Sequence, residues 1–349
     1  MHVVVVQPDV REYRKKIFSL LGNDSRISSF RVLIPNAEET HHDGFSVHGI
    51  AAWSKNGFFF LRGGEEYLDA ADVIIAVFDV KWSCTLLWPF GRHRNKLVFW
   101  GHGFGRTRNH PISRILRIFL AKQVKAIVFY DRISMMEFID AGKINPAKCF
   151  VAPNTMVVSN HAAPSGLSKS ERLLFVGRLI PEKNVSMLIE AAHLLKEKNK
   201  KVRVDIVGEG AERNKLEKLT ADLGLTQEVV FHGAVYDEYA LRELFHGARA
   251  YVCTGPAGLG VVHSMAYGIP VVMYETSQHG PEVIYCTKEN SIFYNESLDD
   301  LVKKLESVLT DDSLCEKLSR GSYKTYIEDC SPGNMVEGFL KAVTYAKVI

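Results

Sequence analysis

Short apolar runs alternate with amphipathic stretches along nearly the whole chain. In the first half, His2–Gln7, Phe30–Pro35, Asp72–Phe78, Leu97–Trp100 and Ala126–Tyr130 are rich in β-branched and aromatic residues. Runs without polar alternation predict strands buried on both faces, and the helical stretches between them predict a parallel sheet. The stretch 36–71 is poorly periodic and contains the aromatic run Phe58–Leu61. Residues 153–170, rich in Pro, Ser, Asn and Ala, break the pattern and predict a linker. The alternation then restarts. Arg172–Gly177, Arg203–Gly208, Val229–Gly233, Arg249–Cys253 and Pro270–Tyr274 predict strands, with helices near 185–197, 211–223, 237–246 and 260–267. The tail 332–349 carries Met335, Phe339, Leu340 and Val343 at helical spacing. The expected architecture is α/β, with two doubly wound parallel-sheet domains over 1–155 and 165–331 and the terminal helix returning to the first.

A length of 349 residues suits two domains, and 46% hydrophobic with 24% charged residues is the balance of a soluble globular protein. Six cysteines are scattered without a Cys-x-x-Cys pair or a grouping with histidine. That speaks against a disulfide scaffold or zinc site and fits a reducing compartment. The start, MHVVVVQPDV, reads as a core strand, and no apolar run reaches the length of a membrane span. The expected location is cytoplasmic, with peripheral attachment to the inner face of the membrane. Charge supplies the reason for that attachment. Residues 1–164 hold 21 Lys/Arg against 14 Asp/Glu, and the stretch between Asp79 and Asp131 holds ten Lys/Arg and no acidic residue. Within 106–125, Arg114 and Arg117 interleave with Ile115, Leu116, Ile118 and Phe119, a pattern suited to an anionic membrane surface. The competing reading has the apolar residues in the core and the arginines solvated.

Doubly wound sheets bind ligands beyond the carboxyl ends of their strands. In VGRLIPEKN (176–184), Arg178 and Lys183 follow a predicted strand, and a guanidinium and an ammonium converging there suit a diphosphate. Two cations at a helix start are unfavourable without an anion. In TGPAGLGVVHSMAYGIPVV (254–272), Gly258 and Gly260 permit close backbone approach before a helix whose first amides suit phosphate oxygens. GEGAER (208–213) has Gly208 and Gly210 but Arg213 in place of a third glycine, which ranks a dehydrogenase below a transferase. His102 lies between two glycines after the strand Leu97–Trp100, and His279 and Glu282 follow Pro270–Tyr274 through a short loop. Asp9, Arg11 and Arg14 follow the first strand and are candidates for an acceptor side. No Asp-x-Asp pair occurs, so cations and amides, with no metal or cofactor, are expected to hold the diphosphate.

Taken in order, VGRLIPEKN, VDIVGEGAERNKLE, VVFHGAV and GLGVVHSMAYGIPVV resemble the C-terminal domain of glycosyltransferase family 4, over about Arg172–Leu309. The resemblance implies a GT-B fold of two Rossmann-like domains facing across a cleft. It further implies a retaining, metal-independent, hexosyltransferase-type enzyme whose C-terminal domain binds a nucleotide-diphosphate sugar. Arg178 and Lys183 match the family's basic pair, and Gly258, Leu259, Gly260 and Val261 match its phosphate-binding loop. By the same likeness, Gly177, Gly208 and Gly210 lie near the nucleotide, and the main chain at His232, Gly233 and Val235 reads the base. His279 and Glu282 approach the donor hydroxyls, and His102 the donor sugar. The family's two glutamates, with seven residues between them, are replaced here by Gly255 and His263, of which His263 is suited to hydrogen-bond a ribose hydroxyl. The implied acceptor is a glycan or a lipid-linked glycan in cell-surface polysaccharide synthesis, and nucleic acid is not an implied partner. Two alternatives stand beside this reading: a non-catalytic GT-B subunit supporting an active partner, and a nucleotide-sugar epimerase.

Overall fold

The computed structural model describes residues 1–105, 110–159, 161, 170–275 and 279–348. The chain forms two compact units, Met1–Val157 with Ser331–Ile349, and Val158–Cys330.

In the first unit the strands are β1 (His2–Val6), β2 (Ser29–Pro35), β3 (Thr40–His42), β4 (Phe45–Lys55), β5 (Phe58–Arg62), β6 (Val73–Val77), β7 (Leu97–Gly101), β8 (Ala126–Phe129) and β9 (Cys149–Val151). Their order is β3-β4-β2-β1-β6-β7-β8-β9, with β5 paired to β4. β3 and β5 run antiparallel to β4, and the other pairs are parallel. β1 is flanked on both sides, with Val4 opposite Arg31 of β2 and Ile74 of β6. Both faces of this sheet are covered, which is why its strands are continuously apolar. Val3, Val5, Ile75, Val98 and Trp100 pack with Ile17, Phe18 and Leu21 of the helix Glu12–Gly22, and with Met335, Phe339 and Leu340 of the terminal helix Pro332–Val348. Val4, Val6, Ile74 and Phe99 point the other way, onto Leu120 and Phe138.

The poorly periodic stretch 36–71 contains an antiparallel hairpin that the sequence reading does not predict. Asn56 and Gly57, both with positive φ, form its two-residue turn, and Ala51 pairs with Arg62. An Asn-Gly pair of that kind matches the right-handed twist of the flanking strands.

The second unit contains β10 (Arg172–Val176), β11 (Arg203–Val207), β12 (Val229–Gly233), β13 (Ala250–Cys253), β14 (Val271–Tyr274) and β15 (Ser291–Tyr294). All pairs are parallel, in the order β12-β11-β10-β13-β14-β15. The helix Val185–Glu197 buries Leu188, Ile189, Ala192 and Leu195 against β10 and β11, beside Leu301 and Leu305 of the helix Leu298–Thr310.

Candidate functional site

β10 is central in its sheet, with Leu174 opposite Asp205 of β11 and Tyr251 of β13. The winding direction reverses between β10 and β13, and the loops that follow them therefore diverge above the strand ends. Such a switch point is where open α/β sheets bind ligands. Arg178 leaves β10 exposed to solvent, and Lys183 closes the short turn Pro181–Lys183 half-buried. The Lys183 ammonium donates to the Pro256 carbonyl at 2.5 Å, inside the glycine-rich turn after β13. Burial holds the Lys183 pKa below its ordinary value, and the nearby Arg178 guanidinium lowers it further while Glu282 opposes the shift. An ammonium in that state gains from an incoming anion, because the partner restores what desolvation removed.

The glycines of the turn differ in what surrounds them. A β-carbon on Gly258 would meet nothing within 4 Å, so this part of the turn is open. A β-carbon on Gly260 would overlap the Tyr251 hydroxyl, which donates to the Val176 carbonyl at 3.1 Å. One on Gly255 would overlap the Glu182 carbonyl, so no side chain fits at that position without moving the loop that carries Lys183. Leu259 precedes and Gly260 opens the helix Gly260–Ala266, and Val261 donates its amide to the Gly258 carbonyl at 3.0 Å.

His279 clamps this turn. Its Nδ1 accepts from the Ala257 amide at 2.8 Å and its Nε2 donates to the Tyr274 carbonyl at 2.7 Å. Both ring nitrogens are engaged in the neutral form, and burial lowers the pKa accordingly. Glu282 is 4% exposed in the turn Pro281–Tyr285.

Gly208 and Gly210 lie where β-carbons would overlap the carbonyls of Gly177 and Leu179, so the loops after β10 and β11 run in close contact. Gly177 donates to Val207 at 2.9 Å, Leu179 to Glu209 at 2.9 Å, and Gly208 to Gly233 at 2.8 Å. These bonds stiffen the rim from β10 to β12, and Val235 follows it half-buried. The rings of two expected residues are engaged away from the rim, although at His232 the expectation concerned the main chain alone. The His232 ring bonds Asp205 at 2.7 Å, in the middle of β11. His263 is packed on the buried side of its helix, 4.5 Å from the Phe245 ring and 5.5 Å from Tyr267, with its pKa pushed down to about 4 by burial.

In the first unit the winding reverses between β1 and β6, and a cavity of about 570 Å³ lies at their carboxyl ends. It brings together Asp9, Arg11, Arg14 and His102, whose ring lies 4.3 Å from that of Tyr130. The sequence reading missed Asp79, Lys81, Trp100, Arg117 and Tyr130, which also line it. Trp100 ends an expected strand, Tyr130 ends another, and Asp79 follows a third, so the strand-end rule was sufficient to find them. Arg117 comes from the middle of the helix Pro111–Lys122, where no local signal marks it.

The basic segment 106–125 differs from its expected form. Residues 106–109, including Arg106 and Arg108, lie outside the described residues. Arg117 is buried and donates to the carbonyls of Phe78 and Gly103, while the Arg114 guanidinium lies 4.0 Å over the Phe104 ring and 3.4 Å from Glu137. The large apolar side chains Ile112, Ile115 and Phe119 are instead exposed on this helix, with Pro111 and Lys122. Arg117 thus spends its donors on carbonyls at the cavity, and Arg114 pairs with Glu137.

Residues 159–325 match the profile of the family described as glycosyl transferases group 1. The chain is 23% identical over 205 residues to the poly(ribitol-phosphate) alpha-N-acetylglucosaminyltransferase of Staphylococcus aureus, covering 58% of this chain and 42% of that protein. It is 27% identical over 173 residues to the lipopolysaccharide core biosynthesis glycosyltransferase LpsE of Rhizobium meliloti, covering 48% of each. The chain thus spans less than half the length of these curated relatives. Among solved structures, Anabaena HepE in complex with UDP superposes with a TM-score of 0.72 at 15% identity, over 99% of this chain and 100% of that one. The fold is therefore of the GT-B type, with two parallel-sheet α/β units. Residues 159–325 thus carry the match to the glycosyl transferases group 1 family, in a chain whose two units have the GT-B fold.

Proposed function

We propose that the chain transfers a sugar from a nucleotide-diphosphate donor to a hydroxyl acceptor, with retention at the anomeric carbon and without a metal or cofactor. The observation that carries this reading is Lys183, partly desolvated beside Arg178, with its ammonium in the turn that opens at Gly258. The diphosphate seats against these two cations and the amides around Gly258. As the bond from the anomeric carbon to the diphosphate oxygen breaks, charge grows on the leaving group where the cations already stand. The acceptor oxygen bonds the same carbon from the same face, and its proton passes to the departing phosphate oxygen. No protein nucleophile is required. The main chain at Gly208, Gly210 and Gly233–Val235 lies on the base side, and the unit 1 cavity takes the acceptor. HepE, solved with UDP, supports a uridine nucleotide as the first donor to try. The two relatives, one named for poly(ribitol-phosphate) and one for lipopolysaccharide core biosynthesis, support a cell-surface glycan as acceptor.

One observation favours the non-catalytic alternative: position 255 has no room for a side chain and His263 is buried, so neither replaces a carboxylate. A thermal-shift screen with UDP- and GDP-sugars separates the readings, because binding to the folded state raises its apparent stability. A bound donor that is transferred, or slowly hydrolysed, supports the enzyme. One that is bound and left intact supports the subunit, and interconversion of sugars without an acceptor indicates the epimerase. Lys183→Ala and Arg178→Ala are each expected to lower transfer about a hundredfold, or about 3 kcal/mol, with an unchanged melting temperature. Normal turnover in both variants removes the diphosphate assignment.

Among the described residues no helix is long and apolar enough to cross a membrane. We propose that the first unit docks on an anionic membrane surface through Ile112, Ile115 and Phe119, with Phe90 stacked on Phe119 at 5.8 Å and Lys122 on the same helix. Large apolar side chains exposed together, with a cation beside them, suit the headgroup boundary.

A further inference from the structure

The charges in the unit 1 cavity are unevenly compensated. Arg11, Arg14, Lys81 and Arg117 line it, against the carboxylates of Asp9 and Asp79. Asp9 is taken up by Arg11, 2.9 Å away at the solvent edge. Asp79 accepts the Lys81 amide at 3.0 Å and stands 3.9 Å from Arg117.

Arg14 reaches no carboxylate among the described residues. It is 7% exposed and donates to Asn154 Oδ1 at 2.8 Å and to the Met335 sulfur at 3.3 Å, with its guanidinium 4.9 Å from the Trp100 ring. Arg117 is equally buried. One of its terminal nitrogens serves the carbonyls of Phe78 and Gly103 at 2.9 and 3.0 Å, and its Nε finds no acceptor among the described residues. Carbonyls and an amide oxygen satisfy donors but do not neutralise charge. A buried guanidinium lacking an anion, as at Arg14, is costly, and Arg117, whose Asp79 carboxylate stands only at 3.9 Å, adds a second cation to the same cavity. The same arrangement becomes favourable once an oxyanion enters, because charge-assisted bonds from guanidinium are strong and directional. The volume suits a ligand the size of one or two sugar rings, and Trp100 and Tyr130 provide apolar wall beside the cations.

We propose that the acceptor is an acidic glycan, whose phosphate or carboxylate group is held in this cavity by Arg14, Arg117 and Lys81. The proposal rests on the reading of this cavity as the acceptor side. It narrows the acceptor from any hydroxyl compound to one bearing an oxyanion close to the reacting hydroxyl.

The test is isothermal titration of the full chain, without donor, using glucose 6-phosphate, glucuronate and methyl glucoside. At least one acid is expected to bind tenfold or more tightly than the neutral glycoside, and the stronger of the two identifies the oxyanion. That preference should disappear in Arg117→Met and in Lys81→Glu, and persist in Lys183→Ala. Lys81 is exposed, so its variant remains informative if removing Arg117 disturbs the fold. Equal affinity for all three sugars, no heat with any of them at millimolar concentration, or a preference unchanged in folded Lys81→Glu overturns the proposal. Loss of the preference in Lys183→Ala alone also overturns it, by moving the anion to the second unit. A separate titration with UDP keeps the functional reading distinct. Acid binding without nucleotide binding sinks the transferase and leaves the cavity assignment standing.

Discussion

His263 has its ring against Phe245 and Tyr267 and its pKa at about 4, from an ordinary 6.5, because burial disfavours the imidazolium. Between those two values the unfolded chain binds the proton and the folded chain does not. Stability is therefore expected to fall as pH drops from about 6.5 to 4, and this contribution levels off below. The shift corresponds to about 3 kcal/mol in total. Urea unfolding across that range should show a shallower decline in His263→Phe, which keeps the aromatic packing and removes the titrating group. Identical slopes in the two proteins refute this account of the burial. At this scale the sequence was sufficient for Arg178 and Lys183, because a strand end and a five-residue spacing place both cations at one rim. It was insufficient for His263, whose helix face depends on what packs against it. The loss of the first glutamate also acquires a reason, since Gly255 lies against the main chain of Glu182 and Lys183.

Gly258 and Gly260 stand two residues apart in one motif, yet the element that holds them uses them differently. Gly258 borders open space, whereas Gly260 leaves room for the hydroxyl of buried Tyr251 in β13. Gly260→Ala is expected to cost about 1–3 kcal/mol through overpacking, read as a lower melting temperature. Gly258→Ala should melt with the wild type and lose donor affinity, because its new methyl group projects into the space assigned to the diphosphate. If both variants melt alike, the distinction between a packing glycine and a ligand-facing glycine is wrong. Element by element, continuous apolar runs revealed β1, β6, β7, β8 and the central strands of the second sheet. The hairpin of β4 and β5 was harder to see, because its aromatic residues Trp53, Phe58 and Phe59 are exposed and follow no burial pattern. Only the Asn56-Gly57 turn announced it.

Across the molecule, each sheet reverses its winding once, next to its first strand, and each candidate site lies at that reversal. The membrane proposal belongs to this scale, since it depends on which surface the first unit leaves uncovered. Co-sedimentation with vesicles of mixed phosphatidylserine and phosphatidylcholine is expected to recover the wild type with the pellet. Ile115→Ser with Phe119→Ser should shift it to the supernatant without lowering the melting temperature, because both side chains are already exposed. Substituting Arg114 and Arg117 is a poor test, as the first packs on Phe104 and the second lies in the cavity. Equal recovery of wild type and double variant would sink the docking face.

Patterning and spacing alone determined the fold class, the existence of the central strands and the placing of Arg178, Lys183 and Gly258 beyond strand ends. They could do so because strand burial leaves a continuous apolar run, and because residues that follow a parallel strand emerge on one side of the sheet. Only the tertiary structure decided that His263 is core, that Arg114 packs on Phe104 and Arg117 turns into the cavity, and that Lys81 and Arg117 share that cavity with Arg14. Those outcomes depend on which helix face meets the sheet and on which partners approach from residues far along the chain. Local sequence carries no record of either.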